Sequence, residues 1–197
     1  MSNPFVDQRR LVGGEAAVLF PAGIVRVTGA DRHDVLNATL TQTMASIAPG
    51  EARESLQLDG NGRIERVLGV LETEDATLLI APGQSGSDLA AWIDARVFLE
   101  DVRATDATAE FAVWGAVRPL GPLAWADPWP TVAPGGTTYG EAEPPSWSWT
   151  LTLLPAGERP ELDTVPLAAL DPIRVVAGRP ALAEVDEAAA SALAEVP

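Results

Sequence analysis

The stretch "SLQLDGNGRIERVLGV", Ser55 to Val70, decides how this chain folds. Apolar and polar residues alternate up to Leu58, Asp59-Gly60-Asn61-Gly62 supplies a turn, and alternation resumes after it, so the segment reads as a β-hairpin. Its second strand carries more charge than a hairpin needs. In a regular strand Arg63, Glu65 and Val67 share one face while Ile64, Arg66 and Leu68 share the other. Arg66 therefore sits among apolar neighbours, where an arginine either snorkels to water or meets an anion. The residues alone leave both readings open: a strand end reaching solvent, or a side chain facing a ligand.

Outward from the hairpin, "GIVRVTG" (residues 23–29) reads as a strand ending on glycine. It leads into "ADRHDVLNATLTQTMASI", where Asp31 stands at a helix start and Val35, Leu36, Leu40 and Met44 recur at helical spacing. After the hairpin, Glu74-Asp75 turns the chain into a third strand, and a helix begins near Ser87 with Leu89, Trp92 and Ile93 on its apolar side. A pair of strands follows, and the first compact domain is expected to end near Gly115. From Pro119 the chain is dense in Pro, Gly and Trp, with one strongly alternating strand in "SWSWTLTLLP". The expected division is 1–118 as the first α+β domain, 119–170 as a smaller Pro/Trp-rich unit, and 171–197 as a segment returning to the first domain and ending in an acidic Ala/Glu tail.

Composition bounds the chemistry. The 197 residues are 47% hydrophobic and 21% charged, which is the balance of a globular chain. All 13 basic residues are arginine and the formal net charge is −15. Such a chain is repelled by phosphate backbones, so direct nucleic-acid contact is not expected. With no cysteine, thiolate chemistry and cysteine-ligated metal sites are excluded, and a single histidine, His33, leaves no multi-histidine site. The N-terminal stretch lacks a signal-peptide pattern and no apolar run reaches membrane-spanning length, so a cytoplasmic protein without a membrane partner is expected.

Several clusters compete as sites. Asp31-Arg32-His33-Asp34 is the ordinary arrangement of charges at a helix start. Thr39, Thr41, Gln42 and Thr43 place weak helix formers together, consistent with either a helix end or a polar contact. The Gly135-Gly136 pair lacks the strand, glycine loop and helix of a phosphate site.

With Gly29, Asp31 and Arg32, then Leu36, Leu40, Thr41 and Gln42, Gly50, Asp59, and Gly62-Arg63-Ile64 in that order, the chain resembles the folate-binding family that joins the glycine-cleavage T-protein (aminomethyltransferase) to the YgfZ-type proteins. Arg174, Ala177, Gly178 and Pro180 resemble that family's Arg-x-x-x-Ala-Gly-x-Pro segment. The resemblance implies an α+β fold with antiparallel sheets backed by helices and no C-terminal barrel in this chain. It implies a tetrahydrofolate ligand, and it marks Thr41 and Gln42 for the pterin, Asp59 for the turn, and Arg63 and Arg66 for the carboxylate tail or pocket polarity. Arg174 is a further member.

The departures shape the functional expectation. Where the T-protein carries an Asp-Asp pair, this chain has Arg66-Val67, and an arginine cannot replace a carboxylate near a reacting nitrogen. The family's pterin-linked Glu is replaced by Val176. The YgfZ-type branch fits better, although its Lys-Gly-Cys-Tyr-x-Gly-Gln-Glu motif is not reached before Pro197, as expected of a truncated portion or a natural short form. The expected function is folate recognition without turnover, in support of iron–sulfur enzymes and tRNA modification, with iron–sulfur client proteins as partners. The alternatives are a non-binding interaction module, whose six Trp form an exposed partner surface, and an aminomethyltransferase.

Overall fold

The computed structural model describes residues 3–129 and 147–179. They fall into two compact units, one built on Pro21–Phe111 and the other on residues 3–20, 112–129 and 147–179.

The Pro21–Phe111 unit contains β2 (Ala22–Thr28), α2 (Arg32–Thr39), β3 (Ala52–Leu58), β4 (Ile64–Glu72), β5 (Thr77–Pro82), α3 (Gly86–Asp94) and β6 (Arg103–Asp106). Its five strands form one antiparallel sheet in the order β3-β4-β5-β2-β6. The register puts Val25 opposite Leu79, Val70 opposite Leu79 and Val27 opposite Ala104, so these apolar side chains share a face. On that face they pack with Leu36 of α2, with Leu89, Ala90 and Ile93 of α3, and with Leu40, Met44 and Ile47 from the segment after α2. The spacing of Leu89, Ala90 and Ile93 gives α3 one apolar stripe, and the Ser85 hydroxyl caps its start by accepting from the Asp88 N–H. Burying each large side chain here is worth roughly 1.5–3 kcal/mol.

Two glycines are required by close approaches in this unit. A Cβ on Gly23 would collide with the backbone of Gln84 and Gly86, so β2 and the start of α3 touch main chain to main chain. Gly29 has φ +108° and faces the Asp101 carbonyl, leaving neither the conformation nor the space for a side chain.

The second unit contains α1 (Pro4–Val12), β1 (Ala16–Leu19), β7 (Phe111–Ala116), β8 (Ala124–Ala126), β9 (Thr150–Pro155), β10 (Asp163–Thr164) and α4 (Asp171–Val176). Its sheet runs β10-β1-β7-β9-β8, with β1 parallel to β10 and antiparallel to β7. The fold is thus α+β, two antiparallel-rich sheets with four α-helices, and no closed barrel occurs among the described residues.

Three expectations are corrected. The domain division differs: residues 3–20 join the Pro/Trp-rich part because β1 pairs with β7 and β10, the break falls at Phe111/Ala112 rather than residue 118, and residues 171–179 stay with that same unit. The helix from Asp31 ends at Thr39, since Leu40 is extended and the Thr39 hydroxyl bonds back to the Val35 carbonyl. The six Trp form no exposed surface, because Trp114, Trp125 and Trp149 are buried and Trp92, Trp129 and Trp147 are partly buried. Gly135-Gly136, Pro180 and the acidic tail lie outside the described residues.

Candidate functional site

The opening hairpin folds as β3 and β4, but its pairing is not regular. Gln57 stands opposite Arg66 while Leu58 stands opposite Ile64, so Glu65 is an extra residue, a β-bulge. The bulge breaks the alternation that the sequence implies. Glu65 and Arg66 no longer point to opposite faces in effect, since both meet the side chain of Gln57. Gln57 Nε2 donates to Glu65 Oε2, and Arg66 Nη1 donates to Gln57 Oε1, each at 2.5 Å. Gln57 itself is fully buried, so its amide has no water to fall back on.

Gln84, between β5 and α3, joins this network by donating from Nε2 to the Glu65 carbonyl at 3.2 Å. Two polar atoms of the network are buried and unpartnered: Nε of Arg66, a donor, and Oε1 of Gln84, an acceptor. Buried polar atoms are normally paired, so an open donor and an open acceptor in one network set this hairpin apart from the satisfied polar groups around it. Gln84 also lines an open cleft of about 500 Å³, bounded by Pro21–Gly23, Gly83–Gly86, Asp106 and Thr108. Asp106 is held below the usual carboxylate range by the hydroxyl and then the N–H of Thr108.

The residues marked from the sequence divide. Thr41 ties the segment after α2 to β3: its N–H donates to the Leu56 carbonyl at 3.0 Å and its hydroxyl accepts from the Leu56 N–H at 2.9 Å. Gln42 donates from its N–H to the Ser55 hydroxyl, and its Oε1 accepts from the Thr43 N–H. Both residues thus serve the chain's own backbone beside the network. Asp59 sits in the hairpin turn, where its Oδ1 accepts from the N–H groups of Asn61 and Arg63, each at 2.8 Å. Those bonds, the one from Arg63 first, hold its carboxyl below the usual range. Arg63 is exposed at the same turn. Arg174 lies on α4 in the other unit, donating to the Arg179 carbonyl at 3.1 Å and reaching Asp171 at 3.5 Å.

Sequence reading missed Gln57 and Gln84 as members. Gln57 carried a signal: in "SLQL" it shares a phase with Ser55, and both face Leu68 and Arg66 across the pair. Gln84 carried none, since it follows a Pro-Gly pair as any turn residue does.

A second buried polar cluster stands apart in the same unit. Glu72 is 1% exposed, and it accepts from Arg32 Nη2 at 2.7 Å and from the Thr77 hydroxyl at 2.5 Å. His33 Nε2 lies 3.0 Å from the same carboxylate but outside hydrogen-bonding angles, so Arg32 and Thr77 carry the contact. The charges at the start of α2 therefore clamp the helix to the β4–β5 hairpin. Asp31 does not cap its own helix: its carboxylate accepts from the Asp101 N–H at 2.7 Å. Among the described residues no cluster of acidic and histidine side chains is arranged to hold a metal, and no helix is long and apolar enough to cross a membrane.

Comparison with known proteins gives no matching family model and no matching curated protein. Among solved structures, the chain is similar to the crystal structure of glycine cleavage system aminomethyltransferase T from Bartonella henselae, with 15% sequence identity and a TM-score of 0.48. The match covers 55% of this chain and 31% of that one, so the chain spans about a third of the length of that protein.

Proposed function

We propose that this chain binds a reduced folate, as the motif order from Gly29 to Ile64 implies. The observation that carries the reading is the Gln57–Glu65–Arg66–Gln84 network, whose open donor and open acceptor lie on and beside the strand that the motif marks. The reading assigns no turnover to the chain, because Arg66-Val67 stand where the T-protein has its carboxylates. A YgfZ-type role in maintaining iron–sulfur enzymes and, through them, tRNA modification in the cytoplasm is the finer form of the same proposal.

Calorimetric titration of the folded chain with tetrahydrofolate tests it: saturable heat is expected, and its absence up to millimolar ligand sinks the reading.

One observation favours an interaction module instead. Phe98 and Leu99 are 83% and 98% exposed, yet both N–H groups are fixed on the Glu100 carboxylate, so an ordered loop presents two large apolar side chains to solvent. Under that reading, folates leave the Trp fluorescence unmoved, and a Phe98→Ser, Leu99→Ser variant loses co-purification with an iron–sulfur client protein.

A further inference from the structure

We propose that the Asn61-Gly62 bond at the tip of the β3–β4 hairpin is a covalent modification site, where the Asn61 amide cyclises and hydrolyses to aspartate and isoaspartate, and that Asp59 sets the pace by holding the turn closed. The inference is independent of the folate reading.

The chemistry selects one asparagine of the three in the chain. Cyclisation uses the backbone nitrogen of the next residue as nucleophile, and Asn3 is followed by Pro4, which has no N–H to lose. Asn37 lies inside α2, where its Oδ1 accepts from the Met44 N–H at 2.9 Å. Asn61 is exposed and followed by Gly62, and a Cβ built on Gly62 would meet nothing within 4 Å, so a ring and an attacking water both have room.

In the reaction the Gly62 nitrogen, having given its proton to solvent, bonds to Asn61 Cγ as the Cγ–Nδ2 bond breaks and ammonia leaves. Water then opens the five-membered ring, at Cγ to give aspartate or at the Asn61 carbonyl carbon to give isoaspartate. The sum is one water in and one ammonia out.

The closed turn opposes that attack. The Gly62 N–H donates to the Asp59 carbonyl at 3.1 Å, which closes a β-turn over residues 59–62. Neither Gly60 nor Asn61 has a positive φ, so the turn is of type I, with ψ of Asn61 about 0°. There the Gly62 nitrogen eclipses the Asn61 nitrogen and is turned away from Cγ, so the peptide must break its hydrogen bond and rotate before it can react.

Asp59 is the lock on that rotation. Its Oδ1 accepts from the N–H groups of Asn61 and Arg63, each at 2.8 Å, and its own N–H donates to the Arg63 carbonyl at 2.8 Å. Its negative charge also opposes loss of a proton from the neighbouring amide. Conversion places a second carboxylate beside Asp59, and the isoaspartyl form adds a methylene to the main chain at the turn, so each opening that leads to reaction is recorded covalently.

The test is peptide mapping by mass spectrometry after incubating the full chain at neutral and mildly alkaline pH. Cleavage after arginine isolates residues 54–63, in which Asn61 is the sole asparagine, and chromatography separates the aspartyl from the isoaspartyl product. A synthetic peptide of the same ten residues gives the unhindered rate. Both products are expected to accumulate in the parent at least about tenfold more slowly than in the peptide, because attack proceeds only from the opened turn. Asp59→Ala is expected to raise the rate in the chain by about tenfold. Asp59→Ser, which keeps a shorter acceptor at the same place in the turn, is expected to fall between. Circular-dichroism melts verify folding, and Asn37 in the same digests reports global opening. If parent and Asp59→Ala both keep Asn61 intact while the peptide converts, the site is overturned. If the parent matches the peptide, if Asp59→Ala matches the parent, or if Asn61 accelerates only together with Asn37, the lock is overturned.

Discussion

Replacing Glu72 with leucine removes the acceptor that fastens α2 to the β4–β5 hairpin, and its cost follows from the geometry. Glu72 is 1% exposed, whereas the Arg32 side chain is 16% exposed and His33 28%. Leaving a buried charge without its partner costs about 3–5 kcal/mol. Arg32 lies close enough to solvent to recover part of that by turning outward, while the fully buried Thr77 hydroxyl loses its acceptor and adds about 1 kcal/mol. The expected loss for Glu72→Leu is therefore about 2–4 kcal/mol, read as a drop in the urea midpoint at neutral pH with an unchanged slope. In thermal unfolding the same loss lowers Tm by about 5–15 °C for a chain of this size. Adding Arg32→Met removes the stranded charge, so the double variant should recover about 1–3 kcal/mol relative to additive behaviour. The clamp would be refuted by a Glu72→Leu protein within about 0.5 kcal/mol of the parent, or by a double variant whose losses simply add.

The other consequences are shorter to state. Gly29→Ala forces a side chain onto a φ of +108° and against the Asp101 carbonyl; a loss of about 3 kcal/mol or more is expected from urea unfolding, and a near-neutral result would mean the loop relaxes freely. Leu36→Ala empties a fully buried position between α2 and the sheet and should cost about 2–5 kcal/mol by the same measurement. Asp106 titrates below its ordinary value because the Thr108 hydroxyl and N–H stabilise its charged form. Its contribution is therefore complete above the unfolded value of about 3.9 and is lost as pH falls below about 4. Asp106→Asn should make the fall of the urea midpoint between pH 6 and pH 3 shallower, and parallel curves for parent and variant would contradict the assignment.

The regular parts of the Pro21–Phe111 unit were legible because each carries a local signal. Alternation marked β2 to β5, Asp59-Gly60-Asn61-Gly62 and Glu74-Asp75 marked the turns, and the stripe of Leu89 and Ile93 marked α3. Leu40 and Met44 show where such signals mislead. They fall at helical spacing and are buried, but they reach the core from a segment of bends and turns after α2 that Thr41 pins to β3. The domain division failed because strand partners are a long-range property. Nothing local in Ala16–Leu19 reveals that β1 pairs with β7 nearly a hundred residues later. The site was half visible: the excess charge at Glu65 and Arg66 was plain in the sequence, but the bulge that turns both toward Gln57 arises from pairing, as does the arrival of Gln84 from another strand end.

That bulge gives the hairpin a reading frame. On the core side of Glu65, β4 keeps the phase that buries Leu68 and Val70, and on the turn side the phase is advanced by one. Deleting Glu65 would make the Gln57–Arg66 and Leu58–Ile64 pairs consecutive, a regular ladder in which neither the turn segment nor the core half changes partners. Inserting a residue between Gln57 and Leu58 would give Glu65 a partner and regularise the ladder from the other strand. A one-residue change at the bulge therefore leaves Arg66 opposite Gln57 and the core intact, and decides only whether a carboxylate meets the buried Gln57 amide.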